Sequence, residues 1–505
     1  MNQAGSQAAT RRRWAGLAIL LLPAVLTSMD ISVLFVAGPT ITDQLRLTPT
    51  QWLWAMDLYG FVMAGLLITM GGLGDRFGRR RLLLIGGLGF GAASVLVAFA
   101  PTGELLIAGR GLLAVGGAAL APSTLSLIRE LFVLDHERRL ALGAWTAAFA
   151  GGAVCGPIVA GILLDHFWWG SVFLLNVPAM LLLLCLAPIL VPESRVRSRT
   201  RFDVVGAGTS LLTVLCLVFA LKRVVLHGFD PSAIGAATIG LASMIIFVLR
   251  QLRTTDPLID VTLFRSRPFS VGVVANVVVA ATTGGVGVLV FPYLQVVHGL
   301  SPFWSAVCGL PCLAGSFLGA AVAARLAPRL PTGPAISLGL VCCAIGLAGS
   351  GLTAGSPTYG GFLVGYTILI FGCGLTATLA TSVVIGQAPE TGVGAAAGLS
   401  ESSNQLGTGL GIAVFGVLAT ASYRENMDPA NDPSAARSLT DAIVAAQTLS
   451  DHEAGALLHR AHAAYAASLE AVVLVAALGT GLLAAAPAVL LHRSRGRTDL
   501  GGPSA

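Results

Sequence analysis

The stretch GGLGDRFGRRR, residues 71–81, decides the fold class. Two apolar runs flank it, at 53–70 and 82–100. Five charges in eleven residues cannot lie in hydrocarbon, so the stretch is a tight loop at a membrane face. Four of the five are arginines, which assigns that face to the cytoplasm. Gly72, Gly74 and Gly78 permit turns and close backbone approach that side chains resist. Asp75 lies beside Arg76 and can pair with it or with a neighbouring helix.

The same alternation of apolar run and charged punctuation continues along the chain. Of 505 residues, 55% are hydrophobic and 11% are charged, and mean hydropathy is +0.83. Soluble domains carry about 25% charged residues. An all-α polytopic membrane protein follows, because continuous apolar runs of ~20 residues span as helices. Fourteen spans are expected: 14–37, 52–73, 82–101, 105–127, 140–163, 169–191, 204–224, 232–250, 270–296, 303–325, 333–352, 358–380, 396–420 and 466–490. The TRRRW start imitates an export signal, but the apolar run after it has no small-residue cleavage site. It reads as the first span.

Fourteen spans put both termini on one side. With the termini in the cytoplasm, 23 of the 30 lysines and arginines fall inside and six outside, Arg110 being left within a span. This asymmetry supports a multi-pass protein of the cytoplasmic membrane, and it accounts for the net charge of +6 without nucleic acid. The spans group as six, two and six: 1–195, then 196–267 with two linker helices, then 268–505. A long extracytoplasmic loop over 421–466 ends in two helical patterns, a short hairpin over the outer mouth or an ordered spacer.

Ionisable groups inside spans are costly, so each needs a reason. Asp30 sits about 24 Å along the first span, either as a cavity carboxylate for a proton or cation, or as a hydrogen-bond acceptor between helices. Asp57 follows Trp52 and Trp54 and precedes Tyr59. Trp54 and Tyr59 are candidate aromatic contacts for a cationic ligand, or members of an interfacial belt. Arg110 requires a carboxylate or carbonyl partner, as a protonation relay or a helix lock. Gly152, Gly156, Pro157 and Gly161 read as a gating bend or a packing face. Glu401 opens the thirteenth span, as a cavity carboxylate or a partner of the helix dipole. Glu390 reads as loop. The eight cysteines show no ligand spacing, and no nucleophile, metal or nucleotide motif occurs. The chain therefore reads as no enzyme, with no cofactor or metal.

These motifs together resemble a known family. GGLGDRFGRRR resembles motif A of the major facilitator superfamily, LIAGRGLLAVGGAA motif B, and AVCGPIVAG the antiporters' motif C. MDISVLFVAGP resembles the first-helix motif of the fourteen-span drug:H⁺ antiporters. WGSVFLLNVP and the long loop before the last span point to the QacA/SmvA-like quaternary-ammonium efflux branch. The resemblance implies two six-helix bundles joined by two helices, and proton-coupled export of lipophilic cations by a monomer in contact with membrane lipid. It makes Asp30, Asp57 and Glu401 the proton or cation acids. Asp75, Arg76, Arg79, Arg80 and Arg110 become conformational coupling residues. The chain departs from the pattern at Val33, Phe35 and Gln405, and span ten has no acid, so monocation export is favoured over dication export. The alternative is a dedicated exporter of one endogenous metabolite or antibiotic.

Overall fold

Uninterrupted apolar runs close their backbone hydrogen bonds within each segment, and helices result. The computed structural model describes residues 2–193, 203–228, 230–254, 261–387, 393–427 and 435–498. In chain order the helices are α1 (Asn2–Leu45), α2 (Pro49–Phe77), α3 (Arg79–Ala98), α4 (Gly103–Leu131), α5 (Asp135–His166), α6 (Ser171–Leu174), α7 (Asn176–Leu190), α8 (Val204–His227) and α9 (Pro231–Arg253). Then come α10 (Arg267–Pro292), α11 (Pro302–Cys308), α12 (Leu310–Leu326), α13 (Thr332–Thr353), α14 (Gly360–Gly386), α15 (Val393–Asn426), α16 (Leu439–Ala446) and α17 (Asp451–Thr498). A 3₁₀ turn precedes α10 and a π turn, Tyr293–Val297, ends it. Thirteen helical spans among the described residues are long and apolar enough to cross a membrane. Helix α2, with 29 residues, adds a further long helix to the series.

The charged stretch at 71–81 is tighter than a loop. α2 runs through Phe77 and α3 starts at Arg79, so only Gly78 is non-helical. Its φ of 106° lies where side chains are disfavoured, and its N–H donates to the Gly74 carbonyl at 3.0 Å. Gly72 has nothing within 4 Å of an added Cβ. The expectation that all three glycines serve turns or close approach thus holds only at Gly78 for the turn, with Gly74 near Leu82.

The last span also differs from the expectation. It does not start near 466 but continues from a helix that opens at Asp451. Ser450 precedes it, its hydroxyl and its N–H donating to the Glu453 carboxylate at 2.7 and 3.3 Å, the reciprocal half of a capping box. No glycine or proline falls between Ala456 and Leu478, so nothing interrupts the helix.

The chain divides into two compact units, residues 1–215, 242–258 and 301–306 in the first and the remainder in the second. α8 and α9 are shared between them. In the first unit α1 packs on α5, α4 and α7, while α4 also packs on α2 and α3. In the second, α13 packs on α14 and α17, α10 on α15, and α12 on α14. At the C-terminal ends of α10 and α15 a separate small core gathers Tyr423, Ala435, Leu439, Ala442, Leu457 and Ala461. It joins the end of α15, α16 and the first half of α17, in the segment 421–466 where a helical hairpin or an ordered spacer is expected. The basic loop over 194–202, Glu390 and the turn over 428–434 lie outside the described residues, as does the side chain of Asp75.

Candidate functional site

Two groups of buried polar side chains stand out, one in each unit. In the first, Asp30 of α1 and Arg110 of α4 form an ion pair, each side chain 1% exposed. The Arg110 Nε–H also donates to the Ala55 carbonyl of α2 at 3.0 Å. The guanidinium lies over the Tyr59 ring, 4.6 Å from its centroid. Ala55 and Tyr59 are four residues apart, on one face of α2. One arginine therefore ties α1, α2 and α4 together. It finds both kinds of partner that its buried position demands, a carboxylate and a carbonyl.

Asp57 is fully buried on α2. Two residues from both Ala55 and Tyr59, it leaves the helix on roughly the opposite side. Trp54 is half-buried, and Tyr59 is fully buried beneath Arg110.

The other face of α1 meets α5. A Cβ added at Gly152 would fall 2.2 Å from the Val25 carbonyl oxygen, and one at Gly156 2.2 Å from Ser32 Oγ. A Cβ added at Gly161 would fall 2.6 Å from the Cα of Phe303, which packs in this unit. These glycines are contact points where backbones nearly touch. Helix α5 is continuous through Pro157. The geometry thus presents the packing face directly.

The arginines of the 71–81 stretch brace the first unit. Arg79 pairs with Glu130 at the end of α4 at 2.7 Å. Arg80 donates to the carbonyls of Pro188 and Val191 at the end of α7, at 3.1 and 3.0 Å. Arg80 and Arg81 also flank Glu193, at 3.7 and 3.8 Å. Arg76 is exposed, its guanidinium 5.7 Å from the Phe77 ring centroid.

In the second unit Glu401 of α15 lines a cavity of about 140 Å³ with Asn276, Ala377, Thr381, Ile385, Ser400 and Asn404. Gln405, one turn on, donates its amide N–H to Glu401 Oε1 at 2.9 Å. Asn276 of α10 donates to Ser400 Oγ at 2.9 Å and to Thr381 Oγ1 of α14 at 3.4 Å. The two hydroxyls are 3.3 Å apart. Reading the sequence alone missed Asn276, Thr381 and Ser400. The signal for Asn276 is a lone amide within an apolar helix, which rarely stays without a partner.

With this geometry in hand, comparison with known proteins is direct. The Major Facilitator Superfamily profile matches residues 20–412. The chain is 39% identical over 497 residues to the multidrug efflux pump LfrA of Mycolicibacterium smegmatis, covering 96% of this chain and 98% of that protein. It is 34% identical to the methyl viologen resistance protein SmvA of Salmonella typhimurium, over 90% and 93% of the two chains. It is 30% identical to the tetracenomycin C resistance and export protein of Streptomyces glaucescens, over 96% and 92%. Among solved structures, a bacterial homologue of the human lysosomal transporter Spinster superposes with a TM-score of 0.66 at 17% identity, over 95% and 97%. That likeness concerns the fold. The chain belongs to the Major Facilitator Superfamily, a class of multi-pass membrane transporters, and falls with its QacA/SmvA-like branch of fourteen-span drug antiporters.

Proposed function

We propose that this protein exports hydrophobic, mainly cationic drugs and antiseptics across the cytoplasmic membrane in exchange for protons, by alternating access. The observation that carries this reading is the Asp30–Arg110 pair buried in a span. Charges in spans are retained where they do work on ions or substrates. The names of the relatives at 39% and 34% identity, a multidrug efflux pump and a methyl viologen resistance protein, support the substrate class.

Asp30, Asp57 and Glu401 are the acids that hold proton or drug cation. Protonating Asp30 removes the charge that holds Arg110, whose remaining partners are the Ala55 carbonyl and the Tyr59 face. Arg110 thereby passes a protonation change from α1 to α2 and α4. Asp75 with Arg76, Arg79 and Arg80 couples the α2–α3 junction to this movement, and Gly152, Gly156, Pro157 and Gly161 set how closely α1 and α5 approach. Six, two and six spans, divided at 195 and 267, form the working bundles. Both termini face the cytoplasm, supported by the 23-to-6 distribution of basic residues, which meet anionic lipid there. The monomer is the working unit.

A second reading, a dedicated exporter of one metabolite, is favoured by the 30% identity to an antibiotic resistance and export protein. Ethidium efflux from energised vesicles tests the first reading. Asp30→Asn, Asp57→Asn and Glu401→Gln are each expected to abolish or strongly reduce it. Full activity in all three would overturn the assignment of the acids, and no flux of any tested cation under an imposed pH gradient would favour the single-metabolite exporter.

A further inference from the structure

The cavity beside Glu401 is too small for a drug. Pockets that hold drug-sized ligands measure about 300–1,000 Å³, against about 140 Å³ here. It has room for several waters, at ~30 Å³ each. Its lining offers one carboxylate, two amides, two hydroxyls and two aliphatic side chains, and no aromatic ring. Quaternary ammonium centres are recognised by aromatic faces, which this cavity lacks. Hydroxyls and amides, by contrast, both donate and accept.

Such a lining suits a small cation that is itself a hydrogen-bond donor. We propose that this cavity is the loading site for the coupling proton, which enters as a hydrated proton, and that Asn276, Thr381, Ser400 and Gln405 position Glu401 to take it. The proposal rests on the proton-coupled reading above and separates the two roles that reading leaves joined: Glu401 serves the proton, and the drug cation is held elsewhere. The step itself is simple. A hydrated proton passes to a carboxylate oxygen of Glu401, leaving a neutral carboxyl group and water.

Gln405 supports the assignment independently. It is 5% exposed, and its Oε1 has no hydrogen-bond partner among the described residues. Its N–H serves the carboxylate form of Glu401. A carboxyl O–H needs an acceptor instead, and a turn of the same amide presents Oε1 for it. One glutamine thus satisfies both states of the acid. The network of Asn276, Ser400 and Thr381 holds three helices, α10, α14 and α15, around the site. The other titratable side chains on those helices are Arg267, Tyr366, Cys373, Tyr423, Arg424 and Glu425, and none of them lines the cavity.

The test uses purified protein in lipid nanodiscs, with ethidium binding followed by fluorescence polarisation and proton release by a pH-indicating dye in weak buffer. Wild type releases protons when it binds ethidium. Glu401→Gln is expected to release about one proton fewer, a direct count of the group removed. Thr381→Val and Asn276→Leu are expected to move the pH midpoint of ethidium affinity by roughly half a unit or more. Their ethidium affinity at about pH 8.5 stays within roughly twofold of wild type, as expected of groups that do not touch the drug. A tenfold loss of that affinity with an unmoved midpoint would make the cavity a drug headgroup site and overturn the proposal. So would variants that change neither quantity. Ser400→Ala, a smaller change, gives the same readout should Asn276→Leu fail to fold. Wild type that binds ethidium and releases no proton overturns the proton-coupled reading itself, a distinct result.

Discussion

Arg110 and Asp30 are eighty residues apart in the chain and in direct contact in the fold, each side chain 1% exposed. Neither charge has solvent to fall back on. The pair links a first-span acid to a fourth helix that also grips α2 through Ala55 and Tyr59.

Arg110→Leu leaves Asp30 buried without its cation, and is expected to cost about 3–5 kcal/mol. Asp30→Asn combined with Arg110→Leu should recover part of that loss, because no lone charge then remains. Thermal unfolding in detergent compares the variants. Strict additivity of the two single substitutions would show that the side chains do not act as a pair.

Gly156→Ala should destabilise the first unit and reduce transport, because the new Cβ meets Ser32 Oγ at 2.2 Å. Overpacking of this kind costs about 1–3 kcal/mol. Gly151→Ala, five positions earlier on the same helix, is the control, since nothing lies within 4 Å of its Cβ. Equal melting temperatures for the two variants would contradict the close α1–α5 contact.

Gly78→Ala is expected to cost about 1–3 kcal/mol, from forcing a side chain into a φ of 106°. Glu193→Gln removes the charge from the part-exposed pairs with Arg80 and Arg81 but keeps an oxygen to accept the Arg80 N–H, and should cost under ~1 kcal/mol. Chemical denaturation of the two variants ranks them. The reverse order would place the strength of the junction in its charges, not its turn.

Ser438→Ala removes the helix cap of α16, worth ~1 kcal/mol. Faster hydrogen exchange confined to 435–465 is the expected result. Exchange that quickens throughout α13 and α14 instead would mean the small core is not a separate cooperative unit.

Asp230 caps α9, outside the spans. A hydrogen bond from the Ala233 N–H at 2.7 Å, with further ones from Arg223 and Ser232, holds its carboxyl below the usual carboxylate range. A lowered value stabilises the ionised form, so the cap is complete above the ordinary value of about 3.9. It is lost as pH falls through the lowered one. Hydrogen exchange at the first turn of α9 should therefore quicken only as pH falls below the ordinary carboxylate range in wild type. Asp230→Asn should show no such step.

Much of this was legible before any coordinates. Arg110 in an apolar run demanded a buried partner on energetic grounds, and both partner types named for it are present. The spans themselves follow from length and hydropathy. The glycines of 151–161 were ambiguous, because a close contact and a bend draw on the same small residues. Only the positions of Val25 and Ser32 opposite them show the contact. The Glu401 cavity was half visible. Its acid is conspicuous, but Asn276, Thr381 and Ser400 are ordinary polar residues spread over three helices and 124 positions. No local pattern joins them, and only tertiary packing does. The continuity of α17 across 456–478 was readable from the lack of glycine and proline there, yet the hydropathy boundary near 466 hid it.

That continuity reaches beyond the hairpin. At ~1.5 Å per residue, 48 residues make a rod about 72 Å long, more than twice a ~30 Å hydrocarbon core. At that length part of the helix must extend beyond the hydrocarbon, and α16 is seated against its first half. The hairpin segment and the last span are thus one continuous helix. A spectroscopic label near its tip would report the tilt of a membrane helix without entering the membrane, and a binder that grips the tip would hold that tilt from outside.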